Sequence, residues 1–143
     1  MKKIATLISR KEIEVRFNEL DPLNVVWHGN YVKYFEDGRE SFGLKYGIPY
    51  PVLREQGIAA PVVSLNCNFK KSVKYGDKLI VETRYVDNPA AKIVLEYTIF
   101  KAENMEVVAE GSTIQVFTDI EGNLQLILPK FIEDWKRKLG LID

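Results

Sequence analysis

An aspartate, Asp21, stands seven residues ahead of the single histidine of the chain, His28, in the stretch FNELDPLNVVWHGNYVKYFEDGRE, residues 17–40. Gly29, Asn30 and apolar residues at helical spacing follow at once. A helix start leaves its first backbone N–H groups unpaired and carries partial positive charge. It can bind an anion, or an oxygen that becomes one in a transition state. A carboxylate near such donors can activate water or attack an acyl carbon itself. One segment thus holds an acid/base group and a set of oxyanion donors, the main-chain amides of His28, Gly29 and Asn30. These are the parts for acyl transfer to water. Plainer roles stay open on the local sequence. Asp-Pro opens turns, a lone histidine before a helix commonly serves as a hydrogen-bonded structural residue, and Glu36 and Asp37 read as solvated helix charges.

The elements that must position this segment are readable from periodicity. In KEIEVRF (11–17), Ile13, Val15 and Phe17 alternate with charged residues, which predicts a half-buried strand. Tyr31, Tyr34, Phe35, Gly38 and Phe42 form one stripe of a helix over 30–46, with Asn30 as N-cap and Gly47 and Pro49 ending it. Gly38 within the stripe predicts close approach to a sheet, since it costs a helix about 1 kcal/mol relative to Ala. Strands follow: VVSLNCNF (62–69), with Val63, Leu65, Cys67 and Phe69 on one face, then 78–86, 92–100 and 106–117. Short breaks at 75–77, 87–91 and 103–104 predict hairpins. Gly111 suggests a bulge. DIEGN reads as a turn into a short strand, LQLIL. PKFIEDWKRKLG reads as a helix with Pro129 at its first position and a stripe of Phe131, Ile132, Trp135 and Leu139. One long apolar-faced helix against a curved antiparallel sheet of four or five strands is an α+β layer architecture.

Composition narrows the function classes. The 143 residues favour one domain, residues 1–143, with one core. Lys plus Arg and Asp plus Glu balance at 20 each, so no global basic field marks a nucleic-acid binder. One Cys and one His make a metal site unexpected, and Cys67 reads as a small buried hydrophobe. The apolar run in MKKIATLIS is short for a signal peptide, and no segment has the length of a membrane span. The expectation is a cytoplasmic protein without membrane insertion.

The segment FNELDPLNVVWHGNYVKYFEDGRESF resembles the signature of the hotdog-fold thioesterases, specifically the 4-hydroxybenzoyl-CoA thioesterase family and its Tol-Pal-associated acyl-CoA relatives. The shared pattern is a strand, an Asp (Asp21), a turn with two apolar residues (Val25, Val26), an aromatic (Trp27), a His or Tyr (His28), and a helix beginning near NY. FKKSVKYGDKLIVET resembles the family's second and third strands, and VFTDIEGNLQLILP its closing hairpin. The likeness spans nearly the whole chain. Asn24 replaces the family's turn glycine, and it tolerates a left-handed backbone next best. The turn NPAAK keeps only Lys92 where hydroxybenzoyl members carry several basic residues.

The resemblance implies a hotdog fold, a long central helix wrapped by the sheet, and hydrolysis of an acyl-CoA or acyl-carrier-protein thioester. Asp21 would be nucleophile or general base. The His28 amide, with Gly29, would receive the thioester oxygen, and the His28 side chain would lie beside the acid. Trp27, Asn30, Val62 and Val63 would line the substrate, while Lys70, Lys71, Lys74 and Lys92 are candidates for its phosphates. No cofactor is implied, because coenzyme A belongs to the substrate. The family builds its sites across a dimer interface and commonly forms homotetramers. Two alternatives stand beside hydrolysis: a hotdog dehydratase or hydratase, and a non-catalytic acyl-binding module.

Overall fold

The computed structural model describes residues 6–143. The first part of the segment read above as too short for a signal peptide, residues 1–5, lies outside the described residues. The elements run β1 (Ile8–Glu14), a 3-10 turn (Phe17–Glu19), α1 (Asn30–Tyr46), α2 (Tyr50–Glu55), β2 (Val62–Phe69), β3 (Lys78–Val86), β4 (Lys92–Lys101), β5 (Val107–Val116) and α3 (Lys130–Lys138). The five strands form one antiparallel sheet in the order β1-β3-β4-β5-β2. Helix α1 packs across β1, β3 and β4. This is the α+β arrangement expected of the sequence. No helix among the described residues is long and apolar enough to cross a membrane.

The core forms where the stripe of α1 meets the sheet. Tyr34, Phe35 and Phe42 are each at most 2% exposed and face Val81, Leu95, Tyr97 and Ile99. Burying each such side chain stabilises the fold by about 1.5–3 kcal/mol. Phe35 stacks on Tyr97 with ring centroids 4.5 Å apart and 15° between planes. The Tyr97 hydroxyl shares a 2.8 Å hydrogen bond with Thr113 Oγ1, so its buried oxygen is satisfied. Gly38 is the point of closest approach. A Cβ there would lie 2.5 Å from Thr83 Oγ1 and 2.7 Å from Val81 Cγ1.

Several sequence expectations need correction. The first strand begins and ends earlier, at Ile8–Glu14. Val15 is buried, but Phe17 enters the 3-10 turn and is 77% exposed, because the chain leaves the sheet there. Gly111 is no bulge: it pairs in register with Cys67 of β2. The register shifts lie instead at Val62/Ser64 and Ile99/Phe100. The absent side chain of Gly111 makes room for the Phe35 ring, whose Cε2 would be 2.7 Å from an added Cβ, and for the Asn66 carbonyl. LQLIL is not a strand. Leu124 makes one isolated bridge with Thr118, and Leu126 and Ile127 project outward. Pro129 caps α3 from outside rather than opening it. Helix α2, unforeseen, forms directly after Pro49.

Lys136 on α3 is 2% exposed, with its Nζ 2.7 Å from the Asn88 carbonyl and 3.1 Å from Asp87 Oδ1. A charge so buried must be paired, and this pair fastens α3 to the β3–β4 turn. Trp135 adds a second tie, its indole N–H donating to the Tyr46 carbonyl at 2.7 Å.

Candidate active site

The loop between the 3-10 turn and α1 is folded by its own main chain. Asp21 N–H donates to the Val25 carbonyl at 2.8 Å, Asn24 N–H to the Asp21 carbonyl at 3.0 Å, and Leu20 bridges to Val26. Asn24 takes φ 62°, the left-handed backbone expected of it. Two further bonds tie the returning limb down. Val26 N–H donates to Val73 at 2.8 Å, and Trp27 N–H to Glu19 at 2.9 Å. The two limbs therefore pair Asp21 with Val25, Leu20 with Val26 and Glu19 with Trp27, and the returning limb leads from the turn at Asp21 to the residues that open the helix.

Asp21 is half-buried. Its Oδ1 accepts from Leu23 N–H at 2.8 Å, an Asx turn, while Oδ2 accepts no hydrogen bond from the described residues. The turn thus engages one oxygen of the carboxylate and leaves the other without a hydrogen bond from the described residues. His28 is exposed, its ring 5.1 Å from that of Trp27 and tilted 47° to it, and 6.3 Å from the Phe69 ring at the end of β2. Gly29 is the N-cap of α1, in right-handed helical geometry at φ −64°, ψ −23°. The first turn closes through Asn30 N–H to Trp27 (2.9 Å) and Tyr31 N–H to His28 (3.2 Å). That leaves the amides of His28 and Gly29 donating to no group among the described residues. The Trp27 ring lies over Gly29, its Cε3 2.7 Å from where a Cβ would be, so only glycine fits beneath it.

Asn30 does not cap the helix as expected. Its side chain points backward, and Nδ2 donates to the Glu19 carbonyl at 2.8 Å. Glu19 itself is a residue that the sequence reading missed. It is 6% exposed, with Oε1 accepting from Arg16 N–H at 2.8 Å and from the Tyr34 hydroxyl at 3.1 Å. An acid three residues after Arg16, the residue that opens the 3-10 turn, able to reach back to that residue's main chain, was the available signal. The Tyr34 phenol is pushed above its ordinary range by burial first and by the neighbouring Glu19 carboxylate second.

The lysines divide into two groups. Lys70, Lys71 and Lys74 are exposed and flank Val73, whose carbonyl holds Val26, so they border the loop. Lys92 starts β4 at the Val62 end of the sheet, opposite the Phe69 end where His28 sits. The seven-residue rise along β2 makes that separation about 23 Å. Val62 is half-buried and Val63 is 60% exposed. Both belong to that far end, so one chain does not bring Lys92, Val62 or Val63 to Asp21. A cavity of about 440 Å³ also opens at the far end, between α1, α2 and the sheet. Its apolar floor includes Phe42, Leu53 and Leu95, and Glu36, Arg39 and Gln115 supply polar groups. Neither Asp21 nor His28 lines it.

Comparison with known proteins agrees with this fold. Residues 15–136 match the model of the thioesterase-like superfamily. A Bacillus subtilis protein, YneP, whose name as an acyl-CoA thioesterase is provisional, is 31% identical over 128 residues, spanning 90% of this chain and 92% of its own. The Arabidopsis thaliana chloroplastic acyl-acyl carrier protein thioesterase ATL3 is 33% identical over 108 residues, 76% of this chain and 57% of its own. Among solved structures, a DHNA-CoA thioesterase from Staphylococcus aureus superposes with a TM-score of 0.82 at 34% identity, covering 91% of this chain and 87% of that one.

Proposed function

Because this chain belongs to the thioesterase-like superfamily, we propose that Asp21 and the His28 and Gly29 amides are the machinery of its reaction. The chain is a hotdog-fold thioesterase, an acyl-thioester hydrolase. One observation supports the assignment above others: a single loop carries a carboxylate oxygen without a hydrogen bond and two adjacent amides without an acceptor. The thioester carbonyl oxygen is placed at the amides. Each donor of this kind is worth roughly 10²–10³ in rate. Asp21 Oδ2 then either takes a proton from water, whose oxygen bonds to the acyl carbon, or bonds to that carbon itself. Either addition puts negative charge on the carbonyl oxygen, and its collapse breaks the C–S bond. The thiolate leaves and picks up a proton. In the covalent route, water hydrolyses the anhydride and restores Asp21. The carboxylate and amides supply every step, so no metal or cofactor is required, and hydrolysis is expected to survive EDTA.

The substrate carries coenzyme A or a carrier-protein phosphopantetheine, with Lys70, Lys71 and Lys74 meeting its phosphates beside the loop. The complete site contains two copies of the chain. Strand β2 is a sheet edge with Val63, Leu65 and Phe69 exposed, a surface that a lone protomer leaves open to pairing. Antiparallel pairing of two β2 edges sets the Val62 end of one copy, with its cavity and Lys92, beside the Phe69 end and catalytic loop of the other. That would explain why a single chain separates the two groups by the length of a strand. Trp27 and Asn30 shape the floor of the site rather than its chemistry. The unpaired Cys67 suits a reducing compartment, the cytoplasm.

The test is thiol release from a panel of short-chain, long-chain and aromatic acyl-CoAs. Asp21→Asn keeps an oxygen for the Leu23 amide and should lower kcat by about 10²-fold or more. Full activity in that variant, or hydration of an enoyl-CoA without thiol release, would remove the assignment.

A further inference from the structure

Glu19 is the one buried carboxylate beside the site that the proposed chemistry leaves without a task. Both of its polar ends are engaged. Its Oε1 accepts from Arg16 N–H at 2.8 Å and from the buried Tyr34 hydroxyl at 3.1 Å, and Lys33 Nζ lies 3.9 Å from Oε2. Its carbonyl accepts from Trp27 N–H at 2.9 Å and from Asn30 Nδ2 at 2.8 Å. Trp27 and Asn30 are the residues on either side of His28 and Gly29, the pair whose amides donate to no group among the described residues. Asp21 follows two residues along the same backbone.

We propose that Glu19 is a positioning residue: its carboxylate locks it to the first full turn of α1, and its carbonyl then brackets the two free amides from both sides. The main-chain donors of an oxyanion site have no side chains of their own to orient them. Their direction is set by whatever fixes the flanking residues, and here one oxygen holds the Trp27 peptide N–H on one flank and the Asn30 side-chain amide on the other. Tyr34, on α1, is itself 2% exposed and ties this bracket to the core, so the geometry of the amides is inherited from the helix as well as from the turn. Fixed donors need no reorganisation when charge develops on the substrate, which is why such pre-arrangement accelerates the step rather than merely strengthening binding.

This inference rests on the reading of the chain as a hydrolase acting through these amides, and its test separates the two. Glu19→Ala, Glu19→Gln, Tyr34→Phe, Asn30→Ala and the Glu19→Ala/Asn30→Ala pair are compared in the full chain. The readouts are kcat and KM on the best acyl-CoA of the panel and residue-resolved amide hydrogen exchange. In Glu19→Ala, kcat should fall roughly 10- to 100-fold with KM within about threefold, since a misplacement near 1 Å suffices for such a loss. Amides 27–30 should exchange about tenfold faster, while those of β3 and β4 keep their rates. Glu19→Gln retains an Oε1 acceptor for both donors and should hold kcat within about threefold. The pair should be no worse than its poorer single member, because both changes release the same bracket. Should Glu19→Ala fail to fold, Tyr34→Phe removes one anchor only and should show the same pattern more weakly. Unchanged kcat, exchange that rises uniformly through the sheet, or a Gln variant as impaired as Ala would overturn the proposal. If the wild-type chain releases no thiol from any acyl-CoA, the hydrolase reading falls, and the exchange data alone still judge whether Glu19 orders residues 27–30.

Discussion

Gly111→Ala is a one-methyl test of how the central helix seats on the sheet. Outside this site the change would help, since Ala in a strand interior gains about 0.5–1 kcal/mol over Gly. Here the new Cβ would lie 2.7 Å from Phe35 Cε2 and 2.8 Å from Cζ, and closer still to the Asn66 carbonyl oxygen. Carbon pairs rest at about 3.5–4.0 Å, so the ring must retreat by nearly 1 Å. Phe35 is held from the other side by its 4.5 Å stack on Tyr97, and the Asn66 oxygen is main chain of β2. Neither obstruction is the loose end of a flexible side chain, which places the strain at the upper part of the usual 1–3 kcal/mol for overpacking. The net effect is about 2 kcal/mol of destabilisation, or roughly 5–8 °C in Tm for a chain of this size. Thermal and urea melts followed by circular dichroism measure it. Repeating the substitution in a Phe35→Leu background should recover about 1 kcal/mol, because the ring that was struck is gone. A Gly111→Ala protein that melts at or above the wild-type temperature, or penalties that simply add in the double variant, would refute the reasoning.

Other perturbations are equally specific. Gly29→Ala pushes the Trp27 ring off the helix start and should reduce kcat roughly tenfold or more, with little change in Tm because that ring is half-exposed; steady-state assays beside a melt decide it. Lys136→Met strips the Asp87 and Asn88 oxygens of their cation and should destabilise the fold by about 1–3 kcal/mol, below the range for a fully buried pair because Asp87 is partly solvated. A urea midpoint equal to wild type would contradict this. Burial works against the charge on Glu82, but hydrogen bonds from Arg84 and Arg10 outweigh it and hold the carboxyl below its ordinary 4.5. A depressed folded value means that this contribution is complete above about 4.5 and is lost as pH falls through the folded value. Glu82→Gln should therefore lower stability at neutral pH and flatten the acid limb of a plot of urea midpoint against pH; an unaltered acid limb would count against the Arg pairing.

Periodicity carried much of this architecture because it reports a face, and a face is what an element must bury. The stripe from Tyr31 to Phe42 located the span of α1, and Gly47, at φ 82°, closes it as expected, while the cap at the other end is Gly29 rather than Asn30. Asn24 and Gly38 were legible for the same local reason: a left-handed turn and a crowded helix–sheet contact each admit few residue types. Features set by a distant partner were not legible. Phe17 continues the alternation of its strand but lies beyond the last ladder pair, Glu14 with Lys78. Gly111 looks like any strand glycine until Phe35 arrives from 76 residues away. The burial of Glu19 and Lys136 is not legible either, because Tyr34 and Asn88 become their partners only on folding. In the candidate site, type and order single out Asp21, His28 and Gly29 as candidates, and the Asn24 turn between them is legible in the same way. The backward reach of Asn30 and the cavity at the far end of β2 are not, because they depend on three-dimensional placement.

The loop that carries Asp21 is pinned largely through peptide groups: Asp21 to Val25, Val26 to Val73, Trp27 to Glu19. A backbone held by backbone is indifferent to much of what its side chains are. Residues such as Leu23, 79% exposed, can therefore drift over generations without unmaking the shape. A lineage built on this loop is free to exchange one acyl group for another by altering the walls while the frame stays as it was.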